Sequence, residues 1–346
     1  MRGGIGAVLA VVCAVAAFAA VAAPTPAPKK AQPQPAVKPP AVKPAQPKKA
    51  QAKKRKQPHV ERIRVEANQW RNKTVDFWVH RPTRYNAAAT NRYPVLVYFG
   101  GRNNKGKELA LGKHGWTRWA DRNGVFLICP GYQDNDYWHP KKWSGDVLLA
   151  ALAELNRRYP NADVEKVGYY GYSAGAKAAN LFAAWRPDRC RAWAGYAAME
   201  FHEPSASMRG IPALLMCGDA DPVHAILSRE FIAKSRAKGV DVLWKSYPNE
   251  VHAVADDSLR LAYEFMSAYL VRREPLQSYR YIGDDEESVY YPKDAAEASF
   301  IPRERVVLLP DRKFADAWGR EGRAARVARR AMPLRRPSAA SGASGR

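Results

Sequence analysis

The serine with the clearest chemical context lies in the stretch Val167 to Asn180, which reads VGYYGYSAGAKAAN. An apolar and aromatic run leads into Gly171, Ser173 and Gly175, spaced as G-x-S-x-G, and good helix-forming residues follow. A strand, a sharp turn and a helix in this order can hold a serine hydroxyl out above a sheet, as a nucleophile requires. An ordinary glycine-rich turn would fit the same five residues, so the rest of the chain must decide.

A nucleophilic serine needs a base and a group that orients the base. Asp221 follows the apolar run IPALLMC, and His252 follows the run VLWKSY. In a parallel sheet, both positions lie on loops beyond the carboxyl ends of strands, where catalytic groups gather. We therefore predict Ser173 as the nucleophile, Asp221 as the acid and His252 as the general base.

Each partner of the serine has a rival nearby. Asp219 precedes Asp221 by two residues, and the proline after Asp221 favours Asp221 because it fixes the backbone there. Asp219 would then brace the turn. The rivals of His252 are His202, His224 and His139. None of them follows the final strand, where the base belongs, although His139 lies in an aromatic loop and could contact substrate.

The oxyanion of an ester intermediate needs hydrogen-bond donors. One predicted donor is the amide of Ala174, directly after the nucleophile. The second is predicted in the loop after YPVLVYF, where Gly101 or Arg102 can bring an amide close.

Substrate contacts are expected from the loop 131–145, GYQDNDYWHPKKWSG, which is long, polar and rich in aromatic residues. Its aromatic side chains either form a platform for substrate or pack the loop onto the domain, and the sequence leaves both open. The predicted substrate-binding residues are Arg102, Tyr132, Trp138, Trp143 and Tyr172.

The elements that must position these groups alternate between strands and helices. VERIRVEA and KTVDFWVHRP have the alternation of half-exposed strands and suggest an antiparallel start, whereas YPVLVYF is continuously apolar like a central strand. Helices are predicted near 107–122, 146–159, 228–238 and 257–273. Asp146 is expected to cap its helix, and Trp116 and Trp119 are expected in the core. The pattern predicts an α/β fold with a mostly parallel central sheet and helices on both faces.

The charge of the chain is concentrated at its ends. The 346 residues carry a formal net charge of +23, yet residues 24–58 alone hold ten Lys or Arg and no acid. Residues 320–346 hold eight Arg and one acid. The middle of the chain is therefore ordinary for an enzyme, and no nucleic-acid partner is expected. The basic ends are either simply solvated or attach the protein to an anionic envelope surface.

The domain organisation follows from these composition changes. Residues 1–23 resemble a signal peptide with an A-x-A-like cleavage site, which predicts an exported protein, and an uncleaved anchor is the alternative. Residues 24–58 form an Ala/Pro/Lys-rich linker, 59–273 a catalytic domain, 274–319 an extension packed on that domain, and 320–346 a disordered basic tail. Three cysteines follow the signal: Cys129 and Cys217, which are predicted as buried strand residues, and Cys190. Because the number is odd, they cannot all pair within the chain. Neither a disulfide framework nor metal-ligand spacing is visible.

With these stretches in place, the chain resembles the α/β-hydrolase superfamily, and within it exported esterases of the polyhydroxybutyrate-depolymerase and feruloyl-esterase type. The resemblance covers about residues 76–270 and rests on four stretches: YPVLVYFGG, ADVEKVGYYGYSAGAKAANLFAAWRPDRCRAWAGYAA, LLMCGDADPV and PNEVHAV. It implies an acyl-enzyme on Ser173, no cofactor, and ester substrates such as cell-wall acyl groups or polyesters. Two departures from the family are Phe99, where a histidine is common, and the lack of an inserted cap domain.

Two other functions remain possible from the sequence. One is a serine peptidase of the prolyl-oligopeptidase type, which shares the serine motif and the order of the three catalytic residues. The other is a non-catalytic envelope-binding protein built on a hydrolase scaffold and docked by its basic ends.

Overall fold

A computed structural model describes residues 59–67, 73–102, 105–132 and 135–322 of the chain. The predicted signal peptide and all of the predicted linker lie outside the described residues, as does the predicted basic tail after residue 322. Within the described part, no helix is both long enough and apolar enough to cross a membrane.

Eight strands form the central sheet, in the order β1-β2-β4-β3-β5-β6-β7-β8. Their bounds are β1 Val60–Ala67, β2 Lys73–His80, β3 Tyr93–Phe99, β4 Phe126–Pro130, β5 Ala162–Tyr172, β6 Cys190–Tyr196, β7 Ala213–Gly218 and β8 Val242–Tyr247. β2 is antiparallel to both β1 and β4, and every other neighbouring pair is parallel. The predicted α/β fold, including its antiparallel start, is confirmed.

The strands in the middle of the sheet are buried along almost their whole length. In β3 the five residues from Val95 to Phe99 are all buried, as is every residue of β4 and β7. Such strands are covered on both faces, which is why their sequences are continuously apolar instead of alternating. Trp116 and Trp119 lie in the core, as predicted. Cys129, Cys190 and Cys217 are buried free thiols on β4, β6 and β7.

Seven α-helices accompany the strands within the described residues. They are α1 Gly106–Ala110, α2 Trp116–Asn123, α3 Gly145–Arg158, α4 Ala174–Trp185, α5 Pro222–Ala237, α6 Asp256–Met266 and α7 Arg312–Trp318. The predicted single helix over 107–122 is wrong, because the helix is interrupted between α1 and α2. Gly112 and Gly115 have φ values of 114° and 72° there, which a continuous right-handed helix does not allow.

The loop 131–145 has local helical structure in its described part. It contains a 3₁₀ turn, Asn135–Trp138, and a π turn, Pro140–Ser144, which runs directly into α3. The prediction that Asp146 caps α3 is wrong. Ser144 occupies the cap position, and no side chain caps the helix, since the π turn already supplies an acceptor for the Gly145 amide.

The residues after the central sheet form a second, smaller sheet in the order β11-β9-β10-β12. Its strands are β9 Tyr281–Asp284, β10 Val289–Pro292, β11 Val306–Leu309 and β12 Arg320–Glu321. α7 contacts α6 of the main domain, and the Trp318 indole donates a hydrogen bond to the Trp244 carbonyl at 2.9 Å. Trp318 is fully buried.

Candidate active site

Ser173 stands at the turn between β5 and α4. Its backbone has φ 54° and ψ −120°, an unfavourable conformation for a residue with a side chain. Close backbone contacts require glycine beside Ser173. A Cβ on Gly171, for example, would lie 2.0 Å from the carbonyl oxygen of Gly175. The turn is therefore the strained strand-to-helix turn that the G-x-S-x-G spacing predicts.

The three predicted catalytic side chains lie in hydrogen-bond contact. The Ser173 Oγ is 2.9 Å from His252 Nε2, and His252 Nδ1 is 2.7 Å from Asp221 Oδ2. Asp221 is 9% exposed, whereas the His252 side chain is 37% exposed. A base that faces solvent, braced by a buried carboxylate, can take a proton from Ser173 and remain accessible to substrate.

Backbone contacts between the loops after β7 and β8 bring Asp221 and His252 together. A Cβ on Gly218 would lie 2.0 Å from the Glu250 carbonyl oxygen, so only glycine allows this approach. Asp219, the rival acid, accepts a hydrogen bond from the Asn249 amide at 2.6 Å. Asp219 thus braces the turn, as expected of it, and contacts the loop of the base and not the base itself.

His224 occupies a place that the sequence did not reveal. Its Nδ1 lies 2.6 Å from Asp221 Oδ1, so the two carboxylate oxygens are each held by a different histidine. The rings of His224 and His252 are 4.3 Å apart and inclined at 32°. A signal was present, because His224 follows Asp221 by three residues at the start of α5, and residues so spaced are neighbours on a helix.

The two other histidines considered as rivals have different surroundings. The His202 backbone amide donates to Asn180 Oδ1 at 2.6 Å, and its Nδ1 is 2.8 Å from the Glu203 carbonyl. His139 is exposed, and its carbonyl accepts hydrogen bonds within the loop 131–145. The contacts of these two side chains do not include the three predicted catalytic residues.

The ionisation of Asp221 is set by opposing effects. Burial alone would raise its pKa, but hydrogen bonds from His224 and His252 outweigh burial, and the pKa of Asp221 falls below its usual value. The carboxylate is therefore charged at neutral pH, which is the state that can stabilise an imidazolium on His252. Burial, together with the charge of Asp221, raises the pKa of Tyr172, so that its phenol remains a donor.

The loop after β3 contacts the start of α4, where the oxyanion donors were predicted. A Cβ on Gly175 would lie 2.2 Å from the Phe99 carbonyl oxygen and 2.5 Å from that of Gly100. Gly101 and Ala174 are both buried at this junction, whereas the Arg102 side chain is exposed. The junction thus places the Gly101 segment next to the residue that follows the nucleophile.

The aromatic residues of the loop 131–145 divide into two groups. Tyr132 donates to the Ser144 carbonyl at 2.7 Å, and Trp143 is only 4% exposed. For these two, the packing alternative describes the structure, and their prediction as substrate-binding residues is corrected. Tyr137 and Trp138 instead donate to the Ala174 carbonyl at 3.3 and 3.2 Å, which ties the loop to α4.

Two of the predicted substrate-binding aromatics are partly exposed: Trp138 contacts the start of α4, and Tyr172 contacts His252. Trp138 is partly exposed, and the Lys177 ammonium lies 4.0 Å from the centre of its ring. The Tyr172 hydroxyl donates to the His252 carbonyl at 2.8 Å, and the two rings are 5.3 Å apart. Tyr172 therefore also supports the loop that carries the base.

One cluster of side chains has the composition of a metal site. Asp221, His224 and His252 each offer a ligand atom, and these atoms lie within 4.8 Å of one another. Metal on both Nδ1 atoms would move the proton of His224 to Nε2, which is buried and has no hydrogen-bond partner among the described residues. Because metal-bound histidines almost always donate their second nitrogen, hydrogen bonding explains this cluster better than a metal ion does.

Comparison with known proteins agrees with the fold. The profile of the Dienelactone hydrolase family matches residues 136–278, which include Ser173, Asp221 and His252. No curated protein matches the chain significantly.

Two solved structures share the fold at low sequence identity. One, from Bacteroides ovatus, is assigned as a dipeptidyl aminopeptidase IV; at 16% identity and a TM-score of 0.50, the match covers 62% of this chain but only 36% of that one. The other is a CE1 ferulic acid esterase from Anaeromyces mucronatus, with 14% identity, a TM-score of 0.50, and coverage of 64% of this chain and 94% of that one. The chain therefore has the α/β-hydrolase fold, and over residues 136–278 it is similar to the Dienelactone hydrolase family.

Proposed function

We propose that the protein is a serine esterase that cleaves carboxylic esters through an acyl-enzyme on Ser173. The observation that carries this proposal is the continuous hydrogen-bonded series from Ser173 Oγ through His252 to Asp221, with distances of 2.9 and 2.7 Å. The strained backbone of Ser173 supports it, because such strain is maintained where the surrounding structure holds a functional group in place.

The chemistry runs in two halves. His252 Nε2 takes the proton of Ser173 as the oxygen attacks the ester carbonyl, and the imidazolium then gives that proton to the leaving alkoxide. Water next attacks the acyl-enzyme, with His252 again accepting a proton and returning it to Ser173 Oγ. Asp221 stabilises the imidazolium in both halves and fixes the tautomer whose Nε2 faces the serine.

The amides of Gly101 and Ala174 are proposed as the donors to the oxyanion. The close contact of Gly175 with the Phe99 and Gly100 carbonyls supports this, since it brings the two donor segments together. Replacing Gly101 by proline removes one donor and should lower kcat about a hundredfold. Wild-type turnover by a folded Gly101→Pro variant would place the oxyanion elsewhere.

Substrate is proposed to bind between the partly exposed Trp138 and Tyr172, with the exposed Arg102 at the rim. Aromatic surface beside the nucleophile suits an apolar or aromatic acyl group. A polymeric or cell-wall-linked ester is the proposed physiological class, because a long substrate could extend past the partly exposed His252 side chain.

Turnover of short p-nitrophenyl esters tests the proposal directly. We expect hydrolysis by the wild type, a burst of p-nitrophenol as the acyl-enzyme forms, and loss of both in Ser173→Ala. A panel of peptide amides run alongside separates the peptidase alternative, which predicts Ser173-dependent cleavage of amides alone. Absence of Ser173-dependent turnover on either panel would favour the non-catalytic, envelope-binding alternative.

Export and attachment to the cell envelope are proposed from the sequence. The uncharged run from Ile5 to Ala23 supports export through a signal peptide, with an uncleaved anchor as the alternative, although the lysines after the run disfavour the orientation that an anchor needs. The basic ends would attract an anionic envelope surface. N-terminal sequencing of the protein recovered from its host, combined with cell fractionation, tests both ideas.

A further inference from the structure

His224 holds the side of Asp221 that the catalytic base does not use. Its Nδ1 lies 2.6 Å from Asp221 Oδ1, while His252 Nδ1 lies 2.7 Å from Oδ2. Asp221 stands at the cap position of α5, yet its carboxylate caps no helix amide. The orientation of this carboxylate is therefore determined by two imidazoles and not by backbone amides.

Hydrogen bonding fixes the tautomer of His224. Since a carboxylate oxygen can only accept, the Nδ1 of His224 carries the proton and donates it. The opposite nitrogen, Nε2, is buried and lacks a hydrogen-bond partner in the described part of the chain. A donor at Nε2 would have no acceptor there, so in this geometry the His224 ring donates at Nδ1 only.

The position of the ring adds a second constraint. The His224 ring is 4.3 Å from the His252 ring, and the His224 side chain is only 14% exposed. Loss of its hydrogen bond would leave Asp221 Oδ1 buried without this donor and would free the carboxylate to rotate away from His252. A donor held in this position can prevent that rotation while His252 takes up its proton.

We propose that His224 is a positioning residue for catalysis, which locks the Asp221 carboxylate so that Oδ2 stays aligned with His252 Nδ1. The proposal rests on the proposed hydrolase function for its effect on rate, but not for its effect on geometry. It assigns the second histidine of the cluster a role that neither the serine motif nor the order of the three catalytic residues requires.

Two variants separate the hydrogen bond from the bulk of the side chain. His224→Leu removes the donor, whereas His224→Asn can place an amide N–H close to the position of Nδ1. We expect kcat for a p-nitrophenyl ester to fall about tenfold in the leucine variant with KM nearly unchanged, and to recover largely in the asparagine variant. His224→Ala serves as a second donor-free variant if leucine disturbs folding, and Glu230→Ala, exposed on the same helix, is the matched control.

A spectroscopic readout does not depend on turnover. The proton between His252 Nδ1 and Asp221 should give a far-downfield NMR signal, identified by its loss in His252→Ala. This signal should shift or broaden in the leucine variant and persist in the asparagine variant. If the wild type hydrolyses no ester, the proposed function fails, and the signal still decides the role of His224.

Three results would overturn the proposal: wild-type kcat in His224→Leu, an unchanged downfield signal in that variant, or equal loss of kcat in the leucine and asparagine variants together with equal loss of thermal stability. The last result would mean that His224 has only a structural role.

Discussion

Gly175 and Phe99 are in such close contact that a Cβ on Gly175 would lie 2.2 Å from the Phe99 carbonyl oxygen. The contact joins the first turn of the helix after Ser173 to the loop that carries Gly101. It therefore links the backbone of the nucleophile to the proposed second oxyanion donor.

Gly175→Ala should push this loop away from the helix. We expect the free energy of unfolding to fall by about 1–3 kcal/mol, because backbone atoms must shift to admit the methyl group. We also expect kcat to fall about a hundredfold as an oxyanion donor moves out of position. Ala184→Gly, at the other end of α4, is the control: it weakens the same helix but should leave kcat close to wild type. Steady-state kinetics and thermal unfolding check both, and a fully active Gly175→Ala would contradict the link.

The two neighbouring aspartates should respond differently to the same substitution. Asp221→Asn removes the charge that stabilises imidazolium on His252 and favours the wrong tautomer, so kcat should fall about 10³- to 10⁴-fold. Asp219→Asn keeps an oxygen that can accept from the Asn249 amide, so kcat should stay near wild type. Steady-state kinetics of both variants on the same ester test this prediction. Comparable losses in both would contradict the assignment of the acid.

The sequence predicted the main parts of this site because each part follows the end of an apolar strand. Ser173 could be chosen from its glycine motif, and Asp221 and His252 from their places after apolar strands, since parallel strands bring their carboxyl ends to one edge. The contact of His224 with Asp221 was signalled only by their spacing of three residues, and it also depends on the side-chain conformation of each residue in one helical turn. The aromatic loop was ambiguous for another reason: a packed Trp143 and a partly exposed Trp138 look alike in sequence.

The helix boundaries show where more could have been predicted. Gly112 and Gly115 stand within the predicted helix over 107–122, and both adopt positive φ values that end α1 and precede α2. Their spacing was a visible signal for a break. The π turn before α3, in contrast, has no local sequence pattern that distinguishes it from an ordinary loop.

Trp318 should be a main source of stability in the C-terminal extension. It is fully buried, and its indole donates to the Trp244 carbonyl at 2.9 Å. Trp318→Ala should lower the free energy of unfolding by about 3–5 kcal/mol, since it leaves a large cavity. Phe300→Ala is the matched control in the same extension, because Phe300 is 80% exposed. Chemical denaturation of both variants tests the expectation, and similar small losses would mean that the extension contributes little.

Lys245 should make stability depend on pH in the alkaline range. Burial lowers the pKa of its ammonium from 10.5 to about 8, although Asp257 acts in the opposite direction. The ammonium also lies 5.6 Å from the centre of the Tyr247 ring and 5.7 Å from that of Trp318. These rings favour the charged form, so the penalty for burying the charge is smaller than burial alone implies.

Between pH 8 and 10.5 the unfolded chain binds more protons at Lys245 than the folded protein does. The contribution of this residue to stability therefore rises as pH increases through that range, and its full penalty applies below it. Lys245→Met should be more stable than the wild type near pH 7, by about 1–3 kcal/mol, and the difference should shrink towards pH 10.5. Lys166→Met, at an exposed site on β5, should show no such pH-dependent difference. Urea unfolding at several pH values measures both variants, and a constant difference for Lys245→Met would show that the ammonium does not titrate in this range.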